Sequence, residues 1–329
     1  MMKKKLLCAA LAAVMLMSLA ACGESPVEEE ESAAPAEAQY RVGICQQMRH
    51  ASLDTATEGF KDALDEALGE GNVEYLEQNA GGEQSNCTLI IDGFVSESVD
   101  LILANATWPL QAAASATDEI PVLGTSVTDY ATALGIDNWT GTVGDNISGT
   151  SDLAPLDQQA EMLHSLFPQA ETVGLLYCSG EPNSVYQIET VRGYLEEMGY
   201  ECAAYAFTDA NDLASVTQTA CDNSDVIYIP TDNTAAANTE SIANVALSAG
   251  VPIVGGDSGI CGGCGVATIA ADYYELGAAT GRMAAQILTG EADISQMAVE
   301  YSPVVTGLYN AANCELLGVT PPEGYEPIE

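Results

Sequence analysis

Short polar side chains gather at the ends of apolar runs in this chain. Asn105-Ala-Thr-Trp108 follows an apolar run at 101–104, Ser126-Val-Thr-Asp129 follows Val122-Leu123, Pro230-Thr-Asp-Asn233 follows a run at 226–229, and Asp257 follows Ile253-Val254. Hydroxyls, amides and carboxylates fill these stretches, and cations are scarce. A ligand carboxylate can be held there by backbone N–H groups and the hydroxyls of Thr107, Ser126 or Thr128. A ligand ammonium needs a carboxylate, and Asp129, Asp232 and Asp257 are available. Each charge-assisted hydrogen bond is worth roughly 1.5–3 kcal/mol net, so four or five with an apolar contact reach micromolar affinity, about −8 kcal/mol. The chemistry is that of holding a zwitterion with an apolar or aromatic body.

Each of these residues has a structural alternative. Asp54 and Asp232 could only cap helices, Asn183 and Ser184 likewise, and Asp129 could fix a turn. Ser151 and Asp152 could be hinge residues, and Trp108 could pack beneath its loop rather than line a cleft. Cys45 ends the first apolar run and is placed to touch a ligand. Cys261-Gly-Gly-Cys264 lacks a second pair or a nearby histidine, so a local disulfide or inert thiols lead over redox and metal readings. Gly256-Asp-Ser-Gly-Ile260 lacks the last glycine of a nucleophile elbow, and Gly263-Cys-Gly-Val-Ala-Thr268 that of a dinucleotide fingerprint. With only His50 and His164 as histidine bases, no catalytic constellation forms. No enzyme activity, cofactor or metal is expected.

The elements that must position these loops are written twice. Val42-Gly43-Ile44 opens one series and Val173-Gly174-Leu175 another; Asp100 and Asp225 each enter an apolar run, and Pro121 and Pro252 each open one, at nearly constant separation. Strand-like runs alternate with helical periodicity in both series, which predicts α/β lobes with doubly wound parallel sheets and right-handed crossovers. Ser52 or Asp54 is expected to cap the first helix, whose face is Phe60, Ala63, Leu64, Ala67 and Leu68. The expected division is 40–148 with 271–303 for lobe 1 and 149–270 with 304–329 for lobe 2, joined by a three-crossing hinge in which 145–159 is the first crossing. In such sheets ligands sit beyond the carboxyl ends of the strands. Pairing the repeats sets 46–54 against 179–184, 105–108 against 230–233, and 126–129 against 257–260.

Eight Lys+Arg against 48 Asp+Glu, a formal net charge of −40, exclude nucleic acid as a partner. Lys3, Lys4 and Lys5 precede an apolar stretch at 6–19 too short to span a bilayer, closed by Leu19-Ala20-Ala21-Cys22. That quartet resembles a bacterial lipoprotein box, which makes 1–21 a signal peptide and Cys22 the lipidated residue. The expected location is the extracellular face of the cytoplasmic membrane, with the lipid as anchor. Residues 22–39, rich in Glu, Ser, Ala and Pro, read as an acidic disordered spacer.

At the loops a family resemblance emerges. Gln46-Gln-Met-Arg-His-Ala-Ser-Leu-Asp54, Ala106-Thr-Trp-Pro109, Val127-Thr-Asp129, Asn146-Ile-Ser-Gly-Thr-Ser-Asp152, Asn183-Ser184, Ile229-Pro-Thr-Asp-Asn233 and Asp272-Tyr-Tyr-Glu-Leu-Gly277 resemble, in order, the substrate-binding lipoproteins of bacterial ABC importers, in the subgroup that includes tryptophan- and tyrosine-type receptors. The resemblance implies a type I periplasmic-binding-protein-like fold and a monomer that delivers a small molecule, most readily an aromatic amino acid, to ABC permease subunits. It implies ligand contacts from Gln46, Leu53, Asp54, Thr107, Trp108, Ser126, Thr128, Asp129, Ser151, Asn183, Ser184, Thr231, Asp232, Asn233 and Asp257. A surface lipoprotein that senses its ligand for a signalling partner is the alternative function.

Overall fold

Apolar β-rich runs make buried strands, and the amphipathic stretches between them close as helices over the sheet faces. The computed structural model describes residues 38–328; the leader, Cys22 and the acidic segment up to residue 37 lie outside the described residues. The first series is β1 (Tyr40–Gln46), α1 (Ala51–Leu68), β2 (Val73–Asn79), α2 (Gln84–Glu97), β3 (Leu101–Asn105), α3 (Thr107–Ala116), β4 (Val122–Val127), α4 (Tyr130–Leu134) and β5 (Ile147–Ser151). The second is α5 (Leu156–Leu166), β6 (Thr172–Cys178), α6 (Pro182–Glu197), β7 (Glu201–Phe207), α7 (Ala210–Asn223), β8 (Val226–Ile229), α8 (Asn233–Ala236), α9 (Thr239–Ala249), β9 (Ile253–Gly255), α10 (Ser258–Gly263) and β10 (Ala267–Ala271). Then come α11 (Tyr273–Leu288), β11 (Glu300–Tyr301), β12 (Val305–Tyr309), α12 (Ala311–Leu317) and β13 (Glu326–Pro327).

The sheets run β11-β5-β4-β3-β1-β2 and β13-β12-β10-β9-β8-β6-β7. Within each repeat the strands stand in the order second, first, third, fourth, fifth, all parallel, so each sheet reverses its winding beside its own first strand. That reversal point is where an open parallel sheet leaves a crevice at its carboxyl edge. Each sheet is covered on both faces. Ile102, Phe94 and Tyr130 lie in one core of lobe 1, with Ile44, Phe60 and Leu103 in the other. Tyr228, Leu175 and Val191 lie in one core of lobe 2, with Ile227, Phe207 and Ile242 in the other. The chain leaves the first sheet after β5, returns to it after β10, and crosses again between β11 and β12.

Several details differ from the reading of the sequence. β5 runs to Ser151 in the first sheet, so a boundary at 148/149 would cut a strand, and β10 runs to Ala271 in the second. The second sheet is not wholly parallel: β12, between β10 and the two-residue outer strand β13, pairs antiparallel with β10, and its half-exposed Thr306 and Gly307 interrupt any apolar run. Helices α4, α8 and α10 are four to six residues long, too short to display helical periodicity. At the start of α1 the cap position is His50, which makes no capping side-chain bond; Ser52 and Asp54 lie inside the first turn.

Helix α11 returns to lobe 1 along α1, and glycine permits the approach. A Cβ on Gly277 would collide with the Ala56 carbonyl oxygen, and one on Gly281 with that of Phe60. Gly277→Ala is therefore expected to push the helices apart and lower stability by roughly 1–3 kcal/mol in urea unfolding. Gly193→Ala in α6, where a Cβ meets nothing within 4 Å, should raise it by about 0.5–1 kcal/mol.

Candidate ligand-binding site

Four aspartates follow strand ends and all cap the next helix. Asp129 Oδ1 accepts from Thr132 N at 2.7 Å, Asp232 Oδ1 from Ala235 N at 2.8 Å, Asp257 Oδ1 from Ile260 N at 2.8 Å, and Asp272 Oδ1 from Glu275 N at 3.1 Å. Asp232 spends its other oxygen too, accepting from Cys178 N at 2.6 Å. It is fully buried and pushed up to about 8 by burial and by neighbouring Glu181. Asp232 is thus a bolt between β6 and α8, and no oxygen of it remains for a ligand ammonium. Beside it Glu181, also fully buried, accepts from Asn233 N, Thr234 N and both of their side chains at 2.7–3.1 Å. Sequence reasoning passed over Glu181 because a glutamate before Pro182 reads as a surface turn.

The lobes touch. His50 Nε2 and Asn233 Oδ1 are 3.2 Å apart, Ser52 Oγ is 3.5 Å from Asp257 Oδ1, and Gln187 Nε2 is 3.5 Å from Thr128 Oγ1. A Cβ on Gly180 would stand 4.0 Å from the Trp108 indole. A cavity of about 540 Å³ opens between the lobes beside these contacts, lined by Met48, Gly81, Gly82 and Trp108 on one side and Thr208 and Asn211 on the other.

Between the lobes lie buried polar atoms with no protein partner: Gln47 Nε2, His50 Nδ1, Ser126 Oγ, Asp152 Oδ1 and Asn183 Oδ1. They belong to the ends of β1, β4, β5 and β6 and the starts of α1 and α6. Ser126, at φ 55°, and Ala106, at φ 93° before α3, hold left-handed backbone that costs a non-glycine residue energy. Both stand at carboxyl ends of lobe 1 strands. Asp152 is 3% exposed; its Oδ2 accepts from Tyr273 Oη at 2.8 Å, and burial together with Asp257 pushes it up to about 6. The ion pairs of the described residues, Arg41 with Glu74 and Glu97, Arg49 with Asp54 and Lys61 with Glu77, are all made within lobe 1, and of these residues the exposed Arg49 also lines the cavity between the lobes.

Of the residues chosen from sequence, Thr107, Trp108, Ser126, Thr128 and Asp129 stand on the lobe 1 rim, and Asn183, Ser184, Thr231, Asn233 and Asp257 on the lobe 2 rim. Gln46, Leu53 and Asp54 do not. Gln46 Nε2 donates to Asp54 Oδ1 at 2.6 Å and its Oε1 accepts from Thr57 at 2.8 Å, beside a hollow lined by lobe 1 alone, while Leu53 is 1% exposed in the core. Strand alternation turns Gln47 to the other side from Gln46, a signal present in the sequence but not used. Ser151 Oγ donates to Thr128 O and accepts from Leu153 N, so it serves the crossing. Thr231 Oγ1 donates to Gly256 O, joining two lobe 2 loops. Cys45 is buried in the core against Cys87, away from the rim. The cysteines of the described residues are free thiols; Cys261 and Cys264 are buried in and after α10, and burial pushes both thiols up, away from nucleophilic reactivity.

Asp232→Asn is expected to destabilise the fold by roughly 1–3 kcal/mol at pH 7, because an amide nitrogen would face the N–H of Cys178 or Ala235. The measurement is the urea midpoint, and an unchanged midpoint would contradict the bolt.

The model of a family described as ABC transporter substrate binding protein matches residues 41–325. A tyrosine-binding protein from Clostridioides difficile strain R20291 is 32% identical over 294 residues, 88% of this chain and 85% of that protein. The structure of an ABC domain in complex with L-Trp from Streptococcus pneumoniae is 30% identical, with TM-score 0.84 over 88% of this chain and 100% of that one. The ligand-free, open structure of a substrate binding protein with adhesive properties from Clostridium difficile is also 30% identical, yet its TM-score is 0.67 over 88% and 99%. Equal identity with unequal superposition, together with the bonds across the cleft, marks the arrangement here as closed. With a type I periplasmic-binding-protein-like fold matched over nearly all the described residues, the chain belongs to the ABC transporter substrate-binding protein family, whose members are solute receptors rather than enzymes.

Proposed function

We propose that the protein captures an amino acid with an aromatic side chain, closes on it, and presents the closed form to the permease subunits of an ABC importer. One observation carries the choice of ligand: the unpartnered buried atoms at the cleft include donors, Gln47 Nε2 and the Ser126 hydroxyl on lobe 1, and acceptors, Asp152 Oδ1 and Asn183 Oδ1, with His50 Nδ1 able to serve as either. A zwitterion supplies the complement of both sets in one molecule. The gap between the lobes has mixed walls in which Trp108 and Met48 offer apolar contact for a side chain, and the relatives that bind tyrosine or L-Trp support that choice.

Closing empty leaves each such atom desolvated at about 1–3 kcal/mol. A ligand that pairs them removes that penalty from the closed form alone, and only such differential affinity moves the population. Lipidation at Cys22 would hold this cycle at the outer face of the cytoplasmic membrane, within reach of a permease, with the protein acting as a monomer.

In calorimetry and thermal shift, L-tryptophan or L-tyrosine is expected to bind at micromolar Kd or tighter and to raise Tm by several degrees, well above L-leucine or myo-inositol. Saturation by a sugar or inositol with no response to any amino acid would refute the assignment. Cys22→Ser should move the protein from the membrane fraction to the medium and abolish labelling by radioactive palmitate; membrane retention by the variant would remove the anchor from the model.

A further inference from the structure

We propose that Asp152, on the first crossing between the lobes, is the carboxylate that takes the ligand's ammonium, and that its bond to Tyr273 passes this contact to the hinge. The inference rests on the amino-acid reading above and narrows it to one residue that sequence reasoning treated as part of the hinge.

The other acids of the cleft are engaged to different degrees. Asp232 gives both oxygens to backbone N–H groups, and Glu181 gives both to α8. Asp257 uses Oδ1 alone, for Ile260 N and Ser52, and its Oδ2 is not among the buried unpartnered atoms. Asp129 caps α4 at the half-exposed rim. Among the described residues, Asp152 is the carboxylate that combines deep burial with an oxygen that has no partner. An unpaired carboxylate oxygen out of water demands a cation or a donor; the chain sets the neutral Thr128 hydroxyl beside this carboxylate but no cation.

The groups around Asp152 are neutral or acidic. Tyr273 faces it from α11, Thr128 from the turn after β4, Asp257 from the turn before α10, and Tyr130 from α4. His50 stands nearer Asp257 and is held by Asn233. Two carboxylates therefore share one dry pocket with no fixed positive charge, which is what raises Asp152 to about 6. A ligand ammonium relieves both the missing bond and the repulsion. An analogue without the amine relieves neither, so discrimination falls on this atom.

The position also links recognition to closure. Asp152 follows β5 on the first crossing, and Tyr273 begins α11 just after the second; their 2.8 Å bond ties two of the three hinge segments. An ammonium set against Asp152 Oδ1 favours the ionised carboxylate, whose Oδ2 accepts the hydrogen bond from the Tyr273 hydroxyl. The sign follows: ammonium binding favours ionised Asp152, so affinity is full above the free protein's value near 6 and falls as pH drops through it.

The test is calorimetry of the purified protein with L-tryptophan and 3-indolepropionate, which lacks the amine, from pH 5 to 8. The wild type should prefer L-tryptophan by roughly 10- to 100-fold at pH 7.5, and its Kd should rise about tenfold per unit below pH 6. Asp152→Asn should lose most of the preference and the pH dependence, with 3-indolepropionate within about threefold of wild type. Tyr273→Phe should weaken L-tryptophan more than 3-indolepropionate while keeping a pH dependence. Asp152→Asn should also melt no lower than wild type without ligand at pH 7.5, because the ionised group is penalised there. If that variant fails to fold, Tyr273→Phe and the wild-type pH profile decide. Binding of L-tryptophan with unchanged affinity and pH dependence in Asp152→Asn, or equal losses for both ligands, overturns the assignment while leaving the amino-acid reading intact. Failure of the wild type to bind any amino acid overturns both.

Discussion

Polar atoms withdrawn from water must find partners, and closing two lobes on each other withdraws many at once. This constraint shapes the molecule more than any single contact. Each lobe meets it for its own strand-end acids by giving them backbone N–H groups: Asp232 and Asp257 are buried yet capped, and Glu181 is wrapped by α8. The loops facing across the cleft meet it only in part. His50 finds Asn233 and Thr128 finds Gln187, whereas Gln47, Ser126, Asp152 and Asn183 each keep an atom unpaired. In this arrangement the energy of recognition and the energy of closure are the same quantity, because the ligand supplies what the second lobe cannot.

That economy depends on lobes that do not deform. Two sheets wound the same way place their reversal points opposite each other, so loops from equivalent strands meet. Helix α11 belongs to lobe 1 although its sequence follows lobe 2, and glycines bring its backbone against α1 closely enough that the second crossing starts from a fixed point. The first crossing is pinned by Ser151, which bonds Thr128 O and Leu153 N. Bending is left to the few residues between the sheets.

The alternation of apolar runs and amphipathic stretches made the two-lobe architecture legible from the sequence, because burial on both faces of a parallel sheet writes itself as unbroken Val, Ile and Leu. What was not legible was the division of labour among similar residues. Asp129, Asp232 and Asp257 all follow strands, and an aspartate there has the same local signature whether it caps a helix or holds a ligand. Asp232 spends both oxygens, whereas Asp129 and Asp257, like Asp152, bond through one; what separates Asp152 is that its free oxygen is buried from water without a partner, which is a tertiary property. Gln46 and Gln47 pose the same difficulty one residue apart, since the pleat sends one into lobe 1 and the other toward the cleft. The antiparallel β12 escaped because a half-exposed strand broken by Thr306 and Gly307 has no continuous apolar run to announce it.

The charge balance limits the guest further. With a net charge of −40 and, among the described residues lining the cavity between the lobes, Arg49 as the one cation, exposed and already paired with Asp54, an anionic ligand would approach against the field and find little to neutralise it inside. A cationic ligand would be drawn in, but its second charge would meet the donors Gln47 Nε2 and Ser126 Oγ rather than acceptors. A neutral zwitterion escapes both penalties, since its whole charge is zero at a distance and its two ends are separated at contact. Acidic composition, which at first excludes only nucleic acid, therefore also acts within the amino acids, against aspartate and glutamate and in favour of side chains that carry no charge.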